Sequence, residues 1–535
     1  MNIYKNPVLP GFYPDPSMCR VGDTFYMVNS TFAYFPGIPV FSGKNPAEWK
    51  QIGNVLDRKS QIPLEGCEHS QGIYAPTIRF HEGRYYIITT NISGGGNFIV
   101  TSERPEGPWS DPHFLGEEAQ GIDPSLFFEE DGTCWFIGQR SNSSGSRYFG
   151  DCEIWMRKLN TVTFRLEGEE YVVLHGFQKN AVWPEGPHLY KKDGYYYILH
   201  AEGGTERGHC VMAARSRCVT GPYEYCPFNP ILTHRHLGKK SPVTCVGHGD
   251  LVDDGHGNWY LTVLGCRPQD GYTLRGRETF LAKVEWEDDW PVVNPGIGML
   301  EEMVAVENAQ EHPEIQNDKK PPQHFYDGFH IDKLPPEFLM LRNPADDMLT
   351  FPPQRDCLRL KMGRATLKEK ASPSYVGIRQ QFQNFCLDTR FRLHCQSRND
   401  CAGLAVLQDN RNHIRFETYN TDRQFLAKVI LCINGTDQIL GTASSADQEV
   451  NAIEMRIEIC GLEASFFLRF IREKGSDTEP WIKIAGNADI RNLSTEKAGG
   501  FTGCTVGMYA SANGAASTGY ADFEKLLLIC PESKR

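Results

Sequence analysis

The chain has 535 residues, of which 40% are hydrophobic and 23% charged, and its formal net charge is −12. This length exceeds what one hydrophobic core usually serves, so we expect two or more domains. The negative charge argues against nucleic acid or an anionic membrane as a partner, because both bind to basic surfaces. A small neutral substrate is compatible with this net negative charge.

Hydropathy and cysteine usage predict a cytoplasmic protein. The N-terminus contains no apolar run of signal-peptide length, and no stretch of about 18 apolar residues occurs elsewhere. The 17 cysteines are scattered without paired spacing, which is typical of reduced thiols rather than of a disulfide framework.

The first 265 residues repeat one pattern five times, a polar turn followed by an aromatic strand. Successive repeats start 60, 49, 62 and 63 residues apart, and this spacing leaves room for one four-stranded sheet in each repeat. Helical periodicity is scarce, which indicates an all-β chain. The five predicted strands begin at Asp23-Thr-Phe-Tyr, Gly83-Arg-Tyr-Tyr, Gly132-Thr-Cys-Trp, Gly194-Tyr-Tyr-Tyr and Gly257-Asn-Trp-Tyr.

A side chain suited to chemistry or ligand contact precedes each of these strands in one register. Counting back eight residues from Asp23, or nine from each glycine, gives Asp15, Tyr74, Asp123, Glu185 and His248. The repeat is compatible with a propeller or another array. If the repeats are radial blades, equivalent positions meet near one axis, and we expect these side chains to share one site. Proline lies within two residues after each carboxyl group and restricts the backbone there, which predicts rigidly held side chains.

The pattern changes after residue 304. Residues 305–323 are polar and punctuated by proline, which predicts an exposed linker between one domain over 1–304 and a second over 324–535. In the second domain, runs such as Leu358-Arg-Leu-Lys and Ile453-Glu-Met-Arg alternate apolar and polar residues. Each such run predicts a strand with one buried and one solvent-exposed face, and the predicted strands of this domain suit a β-sandwich.

Three carboxyl groups in one site indicate hydrolysis of a glycosidic bond. One ionised carboxylate activates water, while a second, protonated carboxyl group delivers a proton to the leaving oxygen. A third carboxylate nearby raises the pKa of the acid by like-charge repulsion. A separation of about 6.5–9.5 Å between base and acid predicts inversion, and about 5–5.5 Å predicts retention.

Several motifs occur in a defined order along the chain, and together they carry a family resemblance. They are Asn6-Pro-Val-Leu-Pro-Gly-Phe-Tyr-Pro-Asp-Pro-Ser, Ser30-Thr-Phe-Ala-Tyr-Phe-Pro-Gly, Gly121-Ile-Asp-Pro-Ser, Trp183-Pro-Glu-Gly-Pro, Ala201-Glu-Gly-Gly-Thr, Gly247-His-Gly-Asp and Leu274-Arg-Gly-Arg-Glu. With this combination the chain resembles glycoside hydrolase family 43, most closely its β-xylosidases and α-L-arabinofuranosidases with a C-terminal β-sandwich. The resemblance is strong over residues 6–300 and weaker from Phe325 on.

The resemblance implies an all-β fold, a five-bladed β-propeller followed by a concanavalin-like jelly-roll β-sandwich. It also implies an inverting mechanism in which Asp15 is the general base and Glu185 the general acid. Asp123 would tune the pKa of the acid and orient it.

The same resemblance implies three contacts to the sugar. Phe32 would form an aromatic wall of the −1 subsite, and Arg277 would contact sugar hydroxyls. Tyr74 stands where relatives often have tryptophan, so we expect an aromatic face with a different hydrogen-bonding tip. A sandwich loop near Phe501 would close one end of the pocket and restrict it to short chains.

The predicted chemistry requires no cofactor. In parts of the family a histidine at the place of His248 approaches a structural Ca²⁺ or bound waters on the propeller axis. Because Ca²⁺ prefers oxygen ligands, such an ion would contact His248 through water. The alternative is a histidine that is hydrogen-bonded in a polar channel without metal.

The sequence therefore predicts an exo-acting, inverting β-xylosidase that removes terminal β-D-xylosyl residues from short xylo-oligosaccharides. α-L-Arabinofuranosidase activity, alone or combined with it, is the alternative, because the two pentoses present similar hydroxyls. More remote alternatives are a retaining fructosidase, whose expected Asn-Asp-Pro-Asn-Gly motif differs from Tyr13-Pro-Asp-Pro-Ser, and a sugar-binding propeller without catalysis. The sequence leaves a homo-oligomer open.

Overall fold

The computed structural model shows a chain built almost entirely of β-strands. The helices among the described residues are short, namely the 3-10 helices Gly116–Glu118, Arg235–Leu237 and Arg491–Leu493 and the α-helix Thr495–Ala498. None of these helices has the length and apolar character needed to cross a membrane. The structure describes residues 2–307, 324–329, 333–353, 355–421, 423–446, 449–472 and 480–530.

The first part of the chain folds into five four-stranded antiparallel sheets, the blades. Its strands are β1 (Asn2–Lys5), β2 (Ser17–Val21), β3 (Thr24–Val28), β4 (Tyr34–Phe35), β5 (Gly37–Asn45), β6 (Glu48–Leu56), β7 (Thr77–His81), β8 (Arg84–Asn91), β9 (Gly96–Ser102), β10 (His113–Phe114), β11 (Ile122–Phe128), β12 (Cys134–Ser141), β13 (Cys152–Asn160), β14 (Arg165–His175), β15 (Glu185–Lys192), β16 (Tyr195–Glu202), β17 (Cys210–Ser216), β18 (Glu224–Tyr225), β19 (Thr244–Asp253), β20 (Trp259–Cys266), β21 (Glu278–Glu287), β22 (Trp290–Val293) and β23 (Met303–Val306). Blade 1 consists of β2, β3, β5 and β6, and blades 2 to 5 take four consecutive strands each from β7 to β22.

The blades are arranged radially, which confirms the predicted five-bladed propeller. The first strands of the blades, β2, β7, β11, β15 and β19, contact one another in a closed ring. Each predicted aromatic strand is the second strand of its blade, namely β3, β8, β12, β16 and β20.

Each pair of neighbouring blades encloses its own apolar core. Tyr197 of blade 4 and Leu261 of blade 5 belong to one such core, and Met27 of blade 1 and Tyr260 of blade 5 to another. Burial of one large apolar side chain contributes about 1.5–3 kcal/mol. Because blade 5 packs on blade 1 as it does on blade 4, side-chain packing closes the ring.

A buried carboxylate on the axis links four of the blades. Asp250 of blade 5 accepts hydrogen bonds at Oδ2 from Ser17 Oγ (2.7 Å) and the Met18 backbone N–H (3.0 Å), both in blade 1. Arg79 of blade 2 donates to both carboxylate oxygens (2.9 and 3.2 Å), and the Tyr190 hydroxyl of blade 4 donates to Oδ1 (2.5 Å). Burial alone would raise the pKa of Asp250, but the Arg79 guanidinium and these donors lower it to about 2.

Hydroxyl groups in the same register join blade 3 to its neighbours. Thr77 Oγ1 of blade 2 donates to the Pro124 carbonyl (2.9 Å), and Ser125 Oγ donates to the Pro187 carbonyl at the start of blade 4 (2.5 Å). All five blades are therefore connected near the axis by side-chain hydrogen bonds.

The two ends of the propeller meet outside the blades. Strands β1 and β23 pair antiparallel, and the Asn6 amide bonds the backbone N–H and carbonyl of Leu281 (3.0 and 2.9 Å). Strand β23 runs to Val306, so it includes the first two residues of the segment 305–323 that was predicted as a linker. Residues 308–323 of that segment lie outside the described residues.

The second part of the chain forms a sandwich of two antiparallel sheets. Its strands are β24 (His324–Asp327), β25 (Met340–Leu341), β26 (Leu349–Thr350), β27 (Leu358–Lys361), β28 (Ser374–Arg379), β29 (Asn384–His394), β30 (Cys401–Leu407), β31 (His413–Asn420), β32 (Phe425–Ile433), β33 (Thr436–Ser444), β34 (Ala452–Cys460), β35 (Glu463–Ile471), β36 (Ile482–Asp489), β37 (Thr505–Ser511) and β38 (Tyr520–Ile529). The larger sheet has the order β26-β27-β38-β29-β34-β35-β36 with β24 beside β38, and the other β28-β37-β30-β31-β32-β33. Apolar side chains from both sheets form one core.

The predicted alternation of buried and solvent-exposed residues is confirmed in β27 and is wrong at one position of β34. Glu454 on the polar face of β34 is 3% exposed. Its carboxylate forms ion pairs with Arg469 and with Lys525. Long basic side chains from β35 and β38 of the same sheet therefore cover a position that the alternation predicts to be exposed to solvent.

The six-stranded sheet packs its outer face against the propeller. Strand β25 pairs with β4, and an apolar core including Phe12, Phe32 and Tyr34 of the propeller and Tyr375 and Tyr509 of the sandwich lies beside this pair. This contact places the sandwich directly behind Phe32.

We expect loss of the axial charge to destabilise the propeller strongly. Asp250→Asn would leave the Arg79 guanidinium without its counter-ion in a buried site, and such a change costs about 3–5 kcal/mol. Urea denaturation followed by tryptophan fluorescence would measure it, because eight of the nine tryptophans lie in the propeller.

Asp253→Asn is the matched control, since Asp253 also lies on β19 and pairs with Arg20 (2.8 Å) but is 41% exposed. Its expected effect is about 0–1 kcal/mol. Equal shifts of the denaturation midpoint in the two variants would contradict the axial role of Asp250.

Candidate active site

The five predicted register positions lie at the entry of the innermost strands. Asp15 and Tyr74 directly precede β2 and β7, Asp123 and Glu185 lie at the start of β11 and β15, and His248 lies within β19. Carboxylate oxygens of Asp123 and Glu185 and a ring nitrogen of His248 lie within 4.8 Å of one another. The radial arrangement thus brings together residues that are more than 60 positions apart in sequence.

The backbone is left-handed at three of these five positions, which the proline motifs did not predict. Asp15, Asp123 and His248 have φ values of 52°, 53° and 49°, a region in which Asp and His are enriched among the non-glycine residues. The strand ladders are irregular at Asp123, Glu185 and His248. Irregularities of this kind re-aim a side chain relative to a regular strand.

Asp15 is held ionised by its surroundings. Arg277 Nη1 donates to Asp15 Oδ1 (2.8 Å), and Ser30 Oγ donates to Oδ2 (2.5 Å). Burial alone would raise the pKa of Asp15, but the Arg277 guanidinium, together with smaller effects of His248 and the Ser30 hydroxyl, brings it below its usual value.

The other two carboxyl groups are shifted in the opposite direction. Burial and the negative charge of Asp15 raise the pKa of Glu185 to about 8, although Arg277 opposes the shift. Burial and the charges of Glu185 and Asp15 raise the pKa of Asp123 well above its usual value. Near neutral pH the site therefore combines one ionised carboxylate with a pair that retains protons.

Gly186 allows His248 to approach the carboxyl groups. A Cβ atom at Gly186 would lie 2.7 Å from His248 Cε1, and the glycine has a left-handed φ of 57°. The Gly186 backbone N–H also donates to the Asp123 carboxylate. Burial lowers the pKa of His248, so its imidazole is neutral near pH 7.

Three aromatic rings form one wall of the site. The Phe32 ring centroid lies 5.3 Å from that of Tyr74 and 6.0 Å from that of Phe501, and the Tyr74 and Phe501 centroids are 6.2 Å apart. The Tyr74 hydroxyl donates to the Ser70 carbonyl (3.3 Å), and Ser70 Oγ accepts from the Phe501 backbone N–H (2.9 Å). A loop of the sandwich thus reaches the propeller site, as predicted.

Arg277 connects the carboxylate, the sandwich loop and the site wall. Besides its bond to Asp15, its Nη1 donates to Thr205 Oγ1 (3.1 Å) and its Nη2 to the Phe501 carbonyl (3.4 Å). Its Nε is buried and has no hydrogen-bond partner among the described residues.

Ser30, Ser70 and Thr205 belong to the site although the sequence reasoning gave them no role. Ser30 and Thr205 lie inside motifs that carry the family resemblance, so their place in these motifs could have identified them as site residues. Ser70 had no such signal, because its contact with Phe501 joins residues 431 positions apart.

Direct binding of Ca²⁺ by the axial group does not fit its donor set. Asp123, Glu185 and His248 offer two carboxylates and one imidazole nitrogen, whereas Ca²⁺ takes six to eight oxygen ligands. The upward pKa shift of both carboxyl groups also favours protons rather than a cation at these oxygens.

Comparisons with known proteins agree with this geometry. The model of glycosyl hydrolases family 43 matches residues 4–291, and that of the beta xylosidase C-terminal concanavalin A-like domain matches residues 326–527. A xylosidase/arabinosidase of Butyrivibrio fibrisolvens is 46% identical over 526 residues, which are 98% of this chain and 98% of the relative. A non-reducing end α-L-arabinofuranosidase of Bacteroides ovatus is 36% identical over 97% of this chain and 94% of its own length.

A solved structure has the same architecture over the whole chain. The crystal structure of a xylan β-1,4-xylosidase from Bacillus halodurans C-125 superposes with a TM-score of 0.89 at 31% identity, covering 98% of this chain and 100% of that one. The matched models span both the propeller and the sandwich. The chain is a glycoside hydrolase, and it belongs to glycoside hydrolase family 43.

Proposed function

We propose that the protein is an exo-acting, inverting β-xylosidase that removes terminal β-D-xylosyl residues from short xylo-oligosaccharides. The observation that carries the proposal is the opposite shift of two carboxyl groups in one pocket, with Asp15 ionised and Glu185 protonated near neutral pH. An inverting glycosidase needs this pair of states at the same time. Several relatives named β-xylosidases support the choice of sugar.

Asp15 is proposed as the general base. In the ionised state its carboxylate can accept a proton from water as the water attacks the anomeric carbon. The hydrogen bonds from Arg277 and Ser30 fix the carboxylate and stabilise its charge. Arg277 would also contact sugar hydroxyls, as the family resemblance implies, and this contact would couple sugar binding to the position of the base.

Glu185 is proposed as the general acid, with Asp123 as the residue that tunes its pKa and orients it. Glu185 is only partly buried, so its carboxyl group can reach the leaving oxygen of a bound chain. Proton delivery leaves Glu185 ionised beside Asp123, which can retain a proton because its own pKa is raised. Each turnover ends when Asp15 releases to solvent the proton that it accepted and Glu185 takes up a proton from solvent.

The pocket wall supports removal of terminal residues. Phe501 lies against Phe32 and Tyr74, and its backbone is bonded to both Ser70 and Arg277. We infer that this wall blocks extension of the substrate beyond the terminal sugar. The aromatic faces would stack on the apolar face of the pentose.

α-L-Arabinofuranosidase activity, alone or in a bifunctional enzyme, is the second candidate. It is favoured by the two relatives described above, one named for both activities and one for arabinofuranosidase. A cytoplasmic location, a neutral oligosaccharide as the main partner and catalysis without a cofactor remain predictions from the sequence. A water-coordinated Ca²⁺ beside His248 also remains a prediction from the sequence, and the sequence leaves a homo-oligomer open.

Initial rates on nitrophenyl β-D-xyloside and nitrophenyl α-L-arabinofuranoside would test the substrate proposal. We expect a higher kcat/KM for the xyloside. Proton NMR during hydrolysis should show α-xylose as the first product, because inversion replaces the β bond by an α hydroxyl. A higher kcat/KM for the arabinofuranoside would favour the second candidate, and β-xylose as the first product would contradict inversion.

Substitution of the proposed acid should affect poor leaving groups most. A general acid contributes about 10²–10⁴-fold, so Glu185→Gln should reduce kcat/KM on xylobiose by about that factor. The loss on nitrophenyl β-xyloside should be smaller, because nitrophenolate leaves with little protonation. The control is Glu117→Gln, an exposed position on a surface helix, and equal losses of Glu185→Gln on both substrates would exclude the assigned role.

Replacement of Arg277 should shift both limbs of the pH profile of kcat/KM in the same direction. As the pH increases, activity should first rise when Asp15 loses its proton. It should then fall when Glu185 loses its proton, near the pKa of Glu185 of about 8. Because Arg277 lowers both pKa values, Arg277→Met should move both limbs of the kcat/KM profile to higher pH. Arg277→Lys retains the charge and should move them less, whereas unchanged limbs in Arg277→Met would refute the electrostatic role.

A further inference from the structure

A second cavity adjoins the site without containing its carboxyl groups. It has a volume of about 380 Å³ and shares Arg277, Thr205 and Phe501 with the site, whereas Asp15, Asp123 and Glu185 do not line it. Its other walls come from β19, β20 and the helix Thr495–Ala498. The cavity is therefore enclosed by both domains and separated from the base by the Arg277 side chain.

Two thiols lie side by side in this cavity. Cys245 and Cys266 both line it, and the antiparallel register of β19 and β20 places Thr244 directly opposite Cys266. Cys245 is partly exposed and Cys266 is 7% exposed. Cys245 has a left-handed φ of 58°, which departs from the regular alternation of side chains along β19, and no role in the proposed hydrolysis uses either thiol.

The surroundings favour a thiolate at Cys245. The neighbouring Cys266 thiol lowers the pKa of Cys245, burial opposes the shift, and Thr244 and the Arg277 charge add to the lowering. Thiolates rather than thiols bind metal ions. Cys266, in contact with the same ion, would lose its proton on binding, as ligating thiols do.

We propose that Cys245 and Cys266 form a dithiol site for soft, thiolate-seeking cations, and that occupancy of this site inhibits hydrolysis. Two thiolates are the ligand type that soft ions such as Cu⁺ and Cd²⁺ select. Binding of one ion to the Cys245 thiolate and the Cys266 thiol releases the Cys266 proton to solvent and forms two metal–sulfur bonds without any change of oxidation state. An ion with its water ligands would displace the Arg277 side chain, which shares the cavity wall and holds Asp15.

Titration with Cd²⁺ would test the site. The parent variant carries Cys218→Ser and Cys460→Ser, which remove the two exposed thiols. We expect one Cd²⁺ per chain with a thiolate-to-metal charge-transfer band in the ultraviolet. We also expect a fall of about 100-fold in kcat/KM, because misplacement of a catalytic group by an ångström can cost that much.

A trivalent arsenical would establish that the two thiols act as a pair. Phenylarsine oxide condenses with two neighbouring thiols to form two arsenic–sulfur bonds and one water molecule. We expect inhibition that a dithiol reverses and a monothiol does not. In the same parent, Cys245→Ser and Cys266→Ser should each keep the basal activity and lose both the Cd²⁺ band and the inhibition.

Three outcomes would overturn the proposal. They are absence of the band in the parent, an unchanged band and inhibition in Cys245→Ser, and Cd²⁺ binding at the pair with full activity. If the buried position makes Cys266→Ser fold poorly, the partly exposed Cys245→Ser alone decides between these outcomes.

Discussion

The buried ion pair between Arg79 and Asp250 holds the centre of the propeller, and the reaction site is built directly on it. Asp250 follows His248 by two residues, and its partner Ser17 follows Asp15 by two residues. Each of these strand entries thus supplies a group for the site and, two residues later, a side chain that bonds another blade. The relative positions of the reacting groups therefore depend on links between blades.

The position of a single cation separates the roles of three similar groups. Arg277 is bonded to Asp15, whereas Glu185 and Asp123 feel its charge from farther away and share a poorly hydrated space. Asp15 therefore ionises first, and its charge keeps protons on the other two carboxyl groups. The proposed base and the proposed acid are both carboxyl groups, and their surroundings rather than their residue types set their different protonation states.

The register of the aromatic strands predicted five repeated sheets and placed Asp15, Asp123 and Glu185 at equivalent positions, and the family resemblance added their radial arrangement around one site. It was not enough to predict the left-handed φ of Asp15 and Asp123, because proline chemistry constrains a neighbour without deciding between the allowed regions. The contact of Ser70 with Phe501 depends on how two domains pack, and local patterns carry no such information. Burial of Glu454 likewise depends on basic side chains from β35 and β38.

The Phe501 loop has a consequence for how this enzyme could change. One wall of a pocket formed by the propeller is encoded more than 200 residues downstream of Arg277, in a separate domain. The loop bonds Arg277 through the backbone carbonyl of Phe501, so side-chain variation in the loop can reshape the pocket wall without removing that hydrogen bond. If the pocket wall limits substrate length as proposed, side-chain changes in the sandwich domain would alter chain-length preference without replacing any of the three carboxyl groups.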